Sequence, residues 1–255
     1  MTERMEIIDA HAHCGIQDRF PPQAVEDYRA AAKGTGISTV VAFAPVMEIY
    51  DRHDPAFTDT PEWIERRQRA NAYLPGAGTA DLEVIPYFFI WNDFAVDQLT
   101  PDHKGIKWHR HADEPPYHYD DPRCAAAISE IRRRNLPVVL EEELSHTLRF
   151  IHEIAPGVRT IIPHLGMLNG GYRTLAARDV FSAPHIYTDT ALAPASEIRD
   201  YLDRYGDDRI LFGSDFPFGH PANELDKINR LGLSGPVREK LLGGNLRRML
   251  AENRG

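Results

Sequence analysis

Two histidines, His11 and His13, stand at the end of a short apolar run near the start of the chain. The run, at residues 5–9, predicts a buried β-strand, and side chains two residues apart on a strand point to the same side. Two imidazoles on one face at the mouth of a strand can reach one metal ion. Without an ion, burying both rings would leave ring nitrogens without partners. We therefore interpret the pair as metal ligands rather than as residues of a solvated loop.

Other polar side chains stand where later apolar runs end. Lys107 and His109 close one run, Glu141 the next, His164 the one after it, and Asp215 follows the last. In a barrel of parallel strands the chemistry lies at the carboxyl ends of the strands, so these residues would meet there. Glu142 and Glu143, which follow Glu141, are instead expected to be solvated loop residues. A mixed set of histidines and carboxylates suits Zn²⁺, Mn²⁺, Fe²⁺ or Co²⁺, whereas Ca²⁺ and Mg²⁺ prefer oxygen ligands alone.

The elements that must position these residues alternate between short apolar runs and longer amphipathic segments, as is typical of repeated β-α units. The first predicted strand ends at the histidine pair, and the others cover 37–43, 82–90, 105–109, 136–141, 159–164, 186–188 and 209–212. The predicted helices cover 21–33, 62–74, 122–134, 145–154, 170–178, 194–205, 221–230 and 236–251. This pattern predicts an α/β fold, a single-domain (β/α)₈ TIM barrel over residues 1–255. An open doubly wound sheet is expected to have a glycine-rich phosphate loop after an early strand, and the sequence has none.

The bulk composition narrows the partners. The 255 residues suffice for one such barrel, and the net charge of -9 argues against nucleic acid or an anionic membrane as the main partner. No stretch has the length of a membrane helix, and the first residues do not resemble a signal peptide. Two cysteines, Cys14 and Cys124, cannot form a disulfide framework, so we expect a cytoplasmic protein. Cys14 is a candidate ligand, although a small buried residue is the commoner case.

Taken together, these motifs resemble the amidohydrolase superfamily, in the branch called amidohydrolase 2, which also contains aminocarboxymuconate-semialdehyde decarboxylase. The His-x-His and Gly-Ser-Asp-x-Pro pieces are specific in combination, and the matches run in the family's order from residue 6 to residue 250. The matching segments are Ile8-Asp9-Ala10-His11-Ala12-His13, Gly105-Ile106-Lys107-Trp108-His109, Pro163-His164-Leu165-Gly166, Leu211-Phe212-Gly213-Ser214-Asp215-Phe216-Pro217 and Gly244-Asn245-Leu246-Arg247-Arg248-Met249-Leu250.

The resemblance implies that His11, His13 and Asp215 ligate a metal, and that Asp215 also accepts the proton of a metal-activated water. His164 is expected to be a further ligand or a catalytic acid/base. Members of the branch usually carry a histidine where this chain has Glu141. A carboxylate there can still bind the metal, but it would make the site a weaker Lewis acid. The alternative is that metal binding is altered or lost.

The resemblance also implies how many metals the site holds. The branch does not generally use the lysine at position 107 to bridge two metals, so we expect one divalent transition metal, zinc first and manganese or iron as alternatives.

Three residues are expected to bind substrate. Lys107 is then a structural residue or binds a charge on the substrate. His109 is expected to face the substrate and, with His164, to stabilise an oxyanion. His111 is expected to line the pocket, with an exposed polar loop as the alternative, and the same two alternatives hold for His118 and Tyr119.

The main functional hypothesis is hydrolysis of a small amide, lactone or ester by metal-activated water. The second is a metal-dependent decarboxylase of an unsaturated or aromatic carboxylate, and the third is a non-catalytic binding barrel. The cationic neighbourhood of Lys107, His109 and Arg110 suits an anionic small-molecule substrate, and the family resemblance suggests a homodimer. Substrate identity is expected to depend on the loops at 14–20, 45–61, 91–100 and 110–120.

Overall fold

A computed structural model describes residues 5–15 and 24–252 of the chain. Eight parallel strands lie side by side in sequence order, which confirms the (β/α)₈ barrel. The strands are β1 Ile7–His13, β2 Ile37–Phe43, β3 Glu83–Phe89, β4 Gly105–His109, β5 Val138–Glu141, β6 Thr160–Ile162, β7 Ile186–Asp189 and β8 Ile210–Leu211. Every predicted strand is therefore present, with bounds that differ by a few residues.

Helices follow the strands on the outside of the barrel. They are α1 Val25–Ala32, α2 Pro61–Tyr73, α3 Pro122–Arg133, α4 Leu144–Arg149, α5 Tyr172–Ala177, α6 Ala195–Tyr205, α7 Pro221–Arg230, α8 Gly235–Glu239 and α9 Asn245–Ala251. Three of them begin with proline. The N–H groups of a first turn have no partner within the helix, so proline, which has no N–H group, loses no hydrogen bond there. The start of the helix predicted over 21–33 lies outside the described residues. None of the helices in the described ranges is both long and apolar enough to span a membrane.

The predicted helix over 236–251 is divided into three parts. A π-helical turn at Lys240–Gly244 separates α8 from α9. Gly243 packs closely at this turn, where an added Cβ would lie 3.1 Å from a side-chain carbon of Ile8. A similar π-helical turn, Phe150–Ile154, extends α4 to the end of the helix predicted over 145–154.

The barrel closes between β1 and the chain that follows β8. The backbone N–H of Ala10 donates to the carbonyl of Phe212 at 2.8 Å, and that of Asp215 donates to the carbonyl of His11 at 2.7 Å. Because the second bond joins the two residues directly, the closure brings Asp215 beside the histidine pair of β1. The register of β1 against β2 also shifts between Asp9 and Ala12. Such irregularities re-aim side chains next to active sites.

Buried apolar side chains form two clusters. The larger lies mainly between the strands and the surrounding helices, and the smaller fills the barrel interior beneath the polar strand ends. The segment expected as a loop over 45–61 contributes to the core, since residues 45–50 are buried and include a 3₁₀ turn at Val46–Glu48. The interior packing leaves the carboxyl ends of the strands as the place where polar side chains collect.

Candidate metal centre and active site

Three buried side chains from β1 and the loop after β8 converge on one point. Asp215 Oδ1 lies 3.3 Å from His11 Nε2 and 3.4 Å from His13 Nε2. This oxygen is buried and accepts no hydrogen bond from any described residue. The ligand atoms of His11, His13 and Asp215 lie within 4.8 Å of one another, close enough to hold one metal ion.

Hydrogen bonds on the far side of each ring indicate which nitrogen carries the proton. His11 Nδ1 lies 2.8 Å from Asp189 Oδ2, and His13 Nδ1 lies 3.4 Å from a backbone carbonyl oxygen. Each Nδ1 therefore donates, and each Nε2 presents a lone pair. Burial, assisted by Lys107, lowers the pKa of His11 to about 4, and burial lowers that of His13 well below its usual range. Both rings are neutral, as metal-binding imidazoles must be.

The donor set fits a divalent transition metal. Two nitrogen lone pairs and a carboxylate oxygen face one another, and only His11 Nε2 has a described donor near it, the Lys107 ammonium at 3.4 Å. A cation among the three would relieve their mutual repulsion and give Asp215 Oδ1 a partner. Two histidines with a carboxylate and open positions are typical of catalytic zinc and of related metals. The structure thus brings the sequence-predicted ligands His11, His13 and Asp215 together.

His164 lies on the other side of this group. Its Nε2 is 3.8 Å from Asp215 Oδ2 and 3.6 Å from Glu141 Oε2, and its Nδ1 is 3.1 Å from a backbone carbonyl oxygen. Burial alone would lower its pKa, but Asp215, Glu141 and Asp189 together raise it to about 9. His164 therefore differs from the β1 histidines, whose pKa values are lowered.

Glu141 ends β5 and joins most of the remaining site residues. Its Oε2 lies 3.1 Å from Lys107 Nζ, and its Oε1 lies 3.1 Å from His109 Nε2 and 2.8 Å from His111 Nε2. Burial alone would raise the pKa of Glu141, but His109 and Lys107 hold it well below its usual range. Glu141 also belongs to a second candidate metal group, with His11 and His164. One of its oxygens is thus fully engaged by imidazoles, whereas Oε2 faces the centre.

Lys107 has no exposed surface. Its ammonium lies 3.1 Å from Glu141 Oε2, 3.4 Å from His11 Nε2 and 4.4 Å from the centre of the Phe43 ring. The charge is neutralised by Glu141 and shielded by the aromatic ring. Of the two roles expected for Lys107, these contacts favour the structural one.

A second polar group connects the loops after β2 and β4, and no sequence pattern predicts three of its members. Tyr50 donates to Glu114 at 2.6 Å and lies 3.2 Å from His109 Nδ1. Arg52 donates to Glu114 at 2.7 Å and lies 2.9 Å from His111 Nδ1. Because Arg52 can only donate, His111 Nδ1 accepts, and His111 Nε2 donates to Glu141. The missed residues stand in irregular segments, where neither periodicity nor a strand end marks them.

Asp189 is a further site residue that was not predicted from the sequence. It ends β7, one residue beyond the predicted strand, and lies next to His11 as described above. Its Oδ1 accepts the backbone N–H groups of His164 at 3.0 Å and Ala191 at 3.1 Å. A carboxylate at the end of a seventh apolar run was a signal of the same kind as Glu141. Asp189 therefore orients one residue on each side of the metal group.

Two site residues adopt left-handed backbone conformations. The φ angles are 56° at His164 and 55° at Asp215, and Leu165 has 52°. Side chains other than glycine rarely adopt this region, and such residues cluster at functional sites. Backbone hydrogen bonds hold both residues: the N–H group of His164 donates to the Asp189 carboxylate, and the N–H group of Asp215 donates to the His11 carbonyl.

Burial also raises the pKa of the Asp215 carboxyl group.

The expectation that Glu142 is a solvated loop residue is wrong. Glu142 has no exposed surface, and it accepts hydrogen bonds from Arg110 at 2.9 Å and Tyr119 at 2.7 Å. Successive side chains of a strand point to opposite faces, so Glu142 faces away from Glu141. Tyr119 stacks there on Trp108 and does not line the site. This outer pair anchors the loop that carries His111.

Other expectations concern residues that take no part in the centre. His118 is exposed, whereas Cys14 and Cys124 are buried free thiols. Burial raises the pKa of Cys14 well above its usual range, which disfavours the thiolate that binds metals. The candidate metal groups found among the described residues do not include either cysteine. The loop expected over 14–20 lies mostly outside the described residues.

A family profile described as amidohydrolase, Amidohydro_2, matches residues 8–251. The chain belongs to this family. A 2,6-dihydroxybenzoate decarboxylase from Rhizobium is similar in structure, with 17% identity over 98% of this chain and 100% of that one and a TM-score of 0.75. A proposed 2-pyrone-4,6-dicarboxylic acid hydrolase from Pseudomonas putida has 16% identity, coverage of 97% and 98%, and a TM-score of 0.69.

An amidohydrolase from Burkholderia multivorans, solved with bound zinc, has 17% identity over 96% of this chain and 99% of that one, with a TM-score of 0.62. No curated protein matches the chain significantly. At these identities the similar structures establish the barrel fold. The family profile establishes membership among the amidohydrolases, whose structural relatives include both hydrolases and decarboxylases.

Proposed function

We propose that this amidohydrolase-family protein is a metal-dependent hydrolase of a small amide, lactone or ester, with Asp215 as the general base. The observation that carries the proposal is the buried oxygen Asp215 Oδ1, which accepts no hydrogen bond from a described residue and faces the Nε2 lone pairs of His11 and His13. A site built this way has ligands for a cation and a carboxylate beside it that can take a proton.

In this proposal His11, His13 and Asp215 would hold one divalent transition metal and Glu141 Oε2 would complete the donor set, while His164 lies beside the metal as a catalytic acid/base. We propose zinc, with manganese or iron as alternatives, because two imidazoles and a carboxylate suit all three. A metal bound there would polarise the scissile carbonyl and lower the pKa of a bound water.

The protein's own groups then move the proton. Asp215 accepts a proton from the attacking water and later passes it to the leaving group, and burial, by raising the pKa of its carboxyl group, makes it a stronger base. His164, held by Asp189 and a backbone carbonyl, donates a hydrogen bond to the developing oxyanion. Both ring nitrogens of His109 are engaged, by Tyr50 and by Glu141, so in this proposal His109 positions Glu141.

We propose that the substrate carries an anionic or strongly accepting group, which the loops after β2 and β4 receive. His111 is 30% exposed, more than the other imidazoles of the centre, and its partner Arg52 retains guanidinium N–H groups beyond those it gives to Glu114. Arg52, held by His111, is placed to meet such a group, whereas Lys107 is buried on Glu141. The buried free cysteines are consistent with the reducing cytoplasm we propose as the location.

Decarboxylation is the second candidate, and the position of His164, whose Nε2 lies 3.8 Å from Asp215 Oδ2, favours it. Losing carbon dioxide from a carboxylate leaves an electron pair on carbon, and that carbon must receive a proton. His164, with its pKa raised to about 9, is a buried proton donor beside Asp215. Hydrolysis needs a base and decarboxylation needs an acid, so the two candidates differ in which residue begins the reaction.

The deciding experiment combines metal analysis with a substrate screen. Mass spectrometry of untagged protein should give about one equivalent of transition metal. The metal-loaded protein is then offered lactones, esters and amides beside aromatic and unsaturated carboxylates, and both hydrolysis and carbon dioxide release are followed. Hydrolysis supports the main proposal, carbon dioxide release alone supports the second candidate, and absence of metal after reconstitution contradicts both.

Asp215→Asn tests the assigned base. Turnover should fall by at least about 10²-fold, because removing a general base costs about that much or more, while the fold is retained. Asp203→Asn, which changes an exposed aspartate on α6, serves as the matched control. Near-normal kinetics in Asp215→Asn would remove Asp215 from its proposed role.

A further inference from the structure

Three large apolar side chains are exposed on loops that also carry candidate site residues. Within the described ranges, those exposed by more than a third are Met167 at 43%, Leu168 at 39% and Phe218 at 53%. Single exposed apolar residues are common on protein surfaces, but a group at the rim of a cleft marks a binding surface. All three lie on the loops that follow β6 and β8, a few residues beyond His164 and Asp215.

Phe218 stands directly over a proposed metal ligand. Its ring meets that of His13 edge to face, with centroids 5.7 Å apart and planes at 90°. The backbone N–H of Gly219 donates to the carbonyl of Asp215 at 3.0 Å, which closes a tight turn around the phenylalanine. A Cβ at Gly219 would lie 2.1 Å from the Ser214 carbonyl oxygen, so the turn admits only glycine there. The turn therefore holds the exposed Phe218 ring beside His13. We call this end of the barrel, where the loops after the strands surround the metal centre, the entrance.

The Met167–Leu168 pair is held in a similar way. The N–H of Met167 donates to the carbonyl of His164 at 3.1 Å. One residue beyond the pair, the buried side chain of Asn169 donates to the carbonyl of Leu140 at 3.1 Å and to Thr147 Oγ1 at 2.9 Å. The pair is thus exposed on a turn that is tied to the end of β5.

The opposite side of the entrance is polar. Strands lie in sequence order around the barrel, so the loops after β6 and β8 face those after β2 and β4. The latter loops carry Arg52 and His111, both partly exposed, and a guanidinium nitrogen of Arg52 lies 2.9 Å from His111 Nδ1. A molecule entering between the two sides meets hydrogen-bond donors on one side and apolar surface on the other.

We propose that Phe218, with Met167 and Leu168, forms an apolar wall that receives the non-reacting body of the substrate and makes Phe218 a specificity-determining residue. The inference rests on the proposed function for the identity of the reacting group. It adds that the substrate carries an apolar ring or chain, and that a molecule with the reacting group alone binds weakly. The wall and the Arg52 side together orient the substrate over the metal centre.

Binding of simple carboxylates tests the wall without requiring turnover. Calorimetry on the metal-loaded protein compares benzoate with acetate, which share the carboxylate and differ in the ring. Benzoate should bind about tenfold more tightly or better, as expected when roughly half a phenyl ring is buried. Phe218→Asn should remove most of this ratio with little change for acetate. Phe218→Leu, which keeps apolar surface, should retain a large part of it.

Controls separate a specific effect from damage to the site. Leu233→Ala changes an apolar residue remote from the entrance and should keep the full ratio, and metal content is measured for every variant. Equal losses for benzoate and acetate in Phe218→Asn, or a ratio near one in the natural protein, overturn the proposal. Because neither ligand is turned over, absence of hydrolysis would contradict the proposed function and leave this comparison intact.

Discussion

Replacing Asp189 by asparagine should weaken metal binding while the barrel stays folded. In the natural protein one carboxylate oxygen accepts two backbone N–H groups, from His164 and Ala191, and the other accepts from His11 Nδ1 at 2.8 Å. Asparagine has a single oxygen, which must stay with the two N–H groups. Its amide NH₂ then faces His11, so the ring must present a lone pair there and carry its proton on Nε2.

The size of the effect follows from this change of tautomer. With the proton on Nε2, His11 cannot bind the metal unless the ring turns or the asparagine gives up its backbone partners. Removing the hydrogen-bond partner of a metal-binding histidine weakens metal affinity about 10- to 100-fold, which corresponds to about 1.4–2.7 kcal/mol. Asp215→Asn, by contrast, removes a proposed ligand and the proposed base together.

The assay is a competition titration with a chelator of known affinity, performed on the Asp189→Asn protein and on an Asp203→Asn control that alters an exposed aspartate of α6. Thermal unfolding of the metal-free proteins checks that the barrel is intact. A folded Asp189→Asn protein with metal affinity within twofold of the natural one would refute the tautomer argument. It would also show that His11 is not a ligand through Nε2.

Two further predictions concern stability. Gly219→Ala should lower the free energy of unfolding by about 2–3 kcal/mol, because its Cβ would lie 2.1 Å from a backbone oxygen, whereas Gly235→Ala has open space and should change it little; denaturant titrations compare the two. Arg247 donates to Glu6 and Glu83 at the opposite end of the barrel and lowers the pKa of both carboxyl groups. Arg247→Met should therefore lower the free energy of unfolding by at most about 1 kcal/mol at pH 7. The difference in unfolding free energy between the variant and the natural protein, measured by denaturant titration, should shrink as the pH falls below about 4, because protonation of the two glutamates removes this stabilisation from the natural protein.

The strand order and the end of the barrel that carries chemistry were predictable from the sequence. Each strand is a short apolar run, and the polar residue that ends it marks the position where the strand leaves the core. His11, His13, His164 and Asp215 were found in this way. The same rule, applied one residue further along the seventh run, would have found Asp189. The local signal was present there, and the predicted strand was simply ended too early.

Other features depend on residues that are distant in sequence. Tyr50, Arg52 and Glu114 have no periodic pattern of their own, and their importance comes from contacts between the loops after β2 and β4. Glu142 was misjudged because an acidic residue beside a strand end is usually solvated. Only the packing of Arg110 and Tyr119 against the outer face of the strand makes its burial favourable.

The sequence by itself determined the barrel and most of the side chains at its carboxyl end, because hydrophobic periodicity and strand ends are local properties of a chain. The tertiary structure decided how those side chains are used. His11 and Asp189 are 178 residues apart, yet their hydrogen bond fixes the proton on Nδ1 and leaves Nε2 for a metal. Proton positions and the division of Glu141 between its partners depend on distances of a few ångströms. Closing the barrel sets those distances, and no local pattern encodes them.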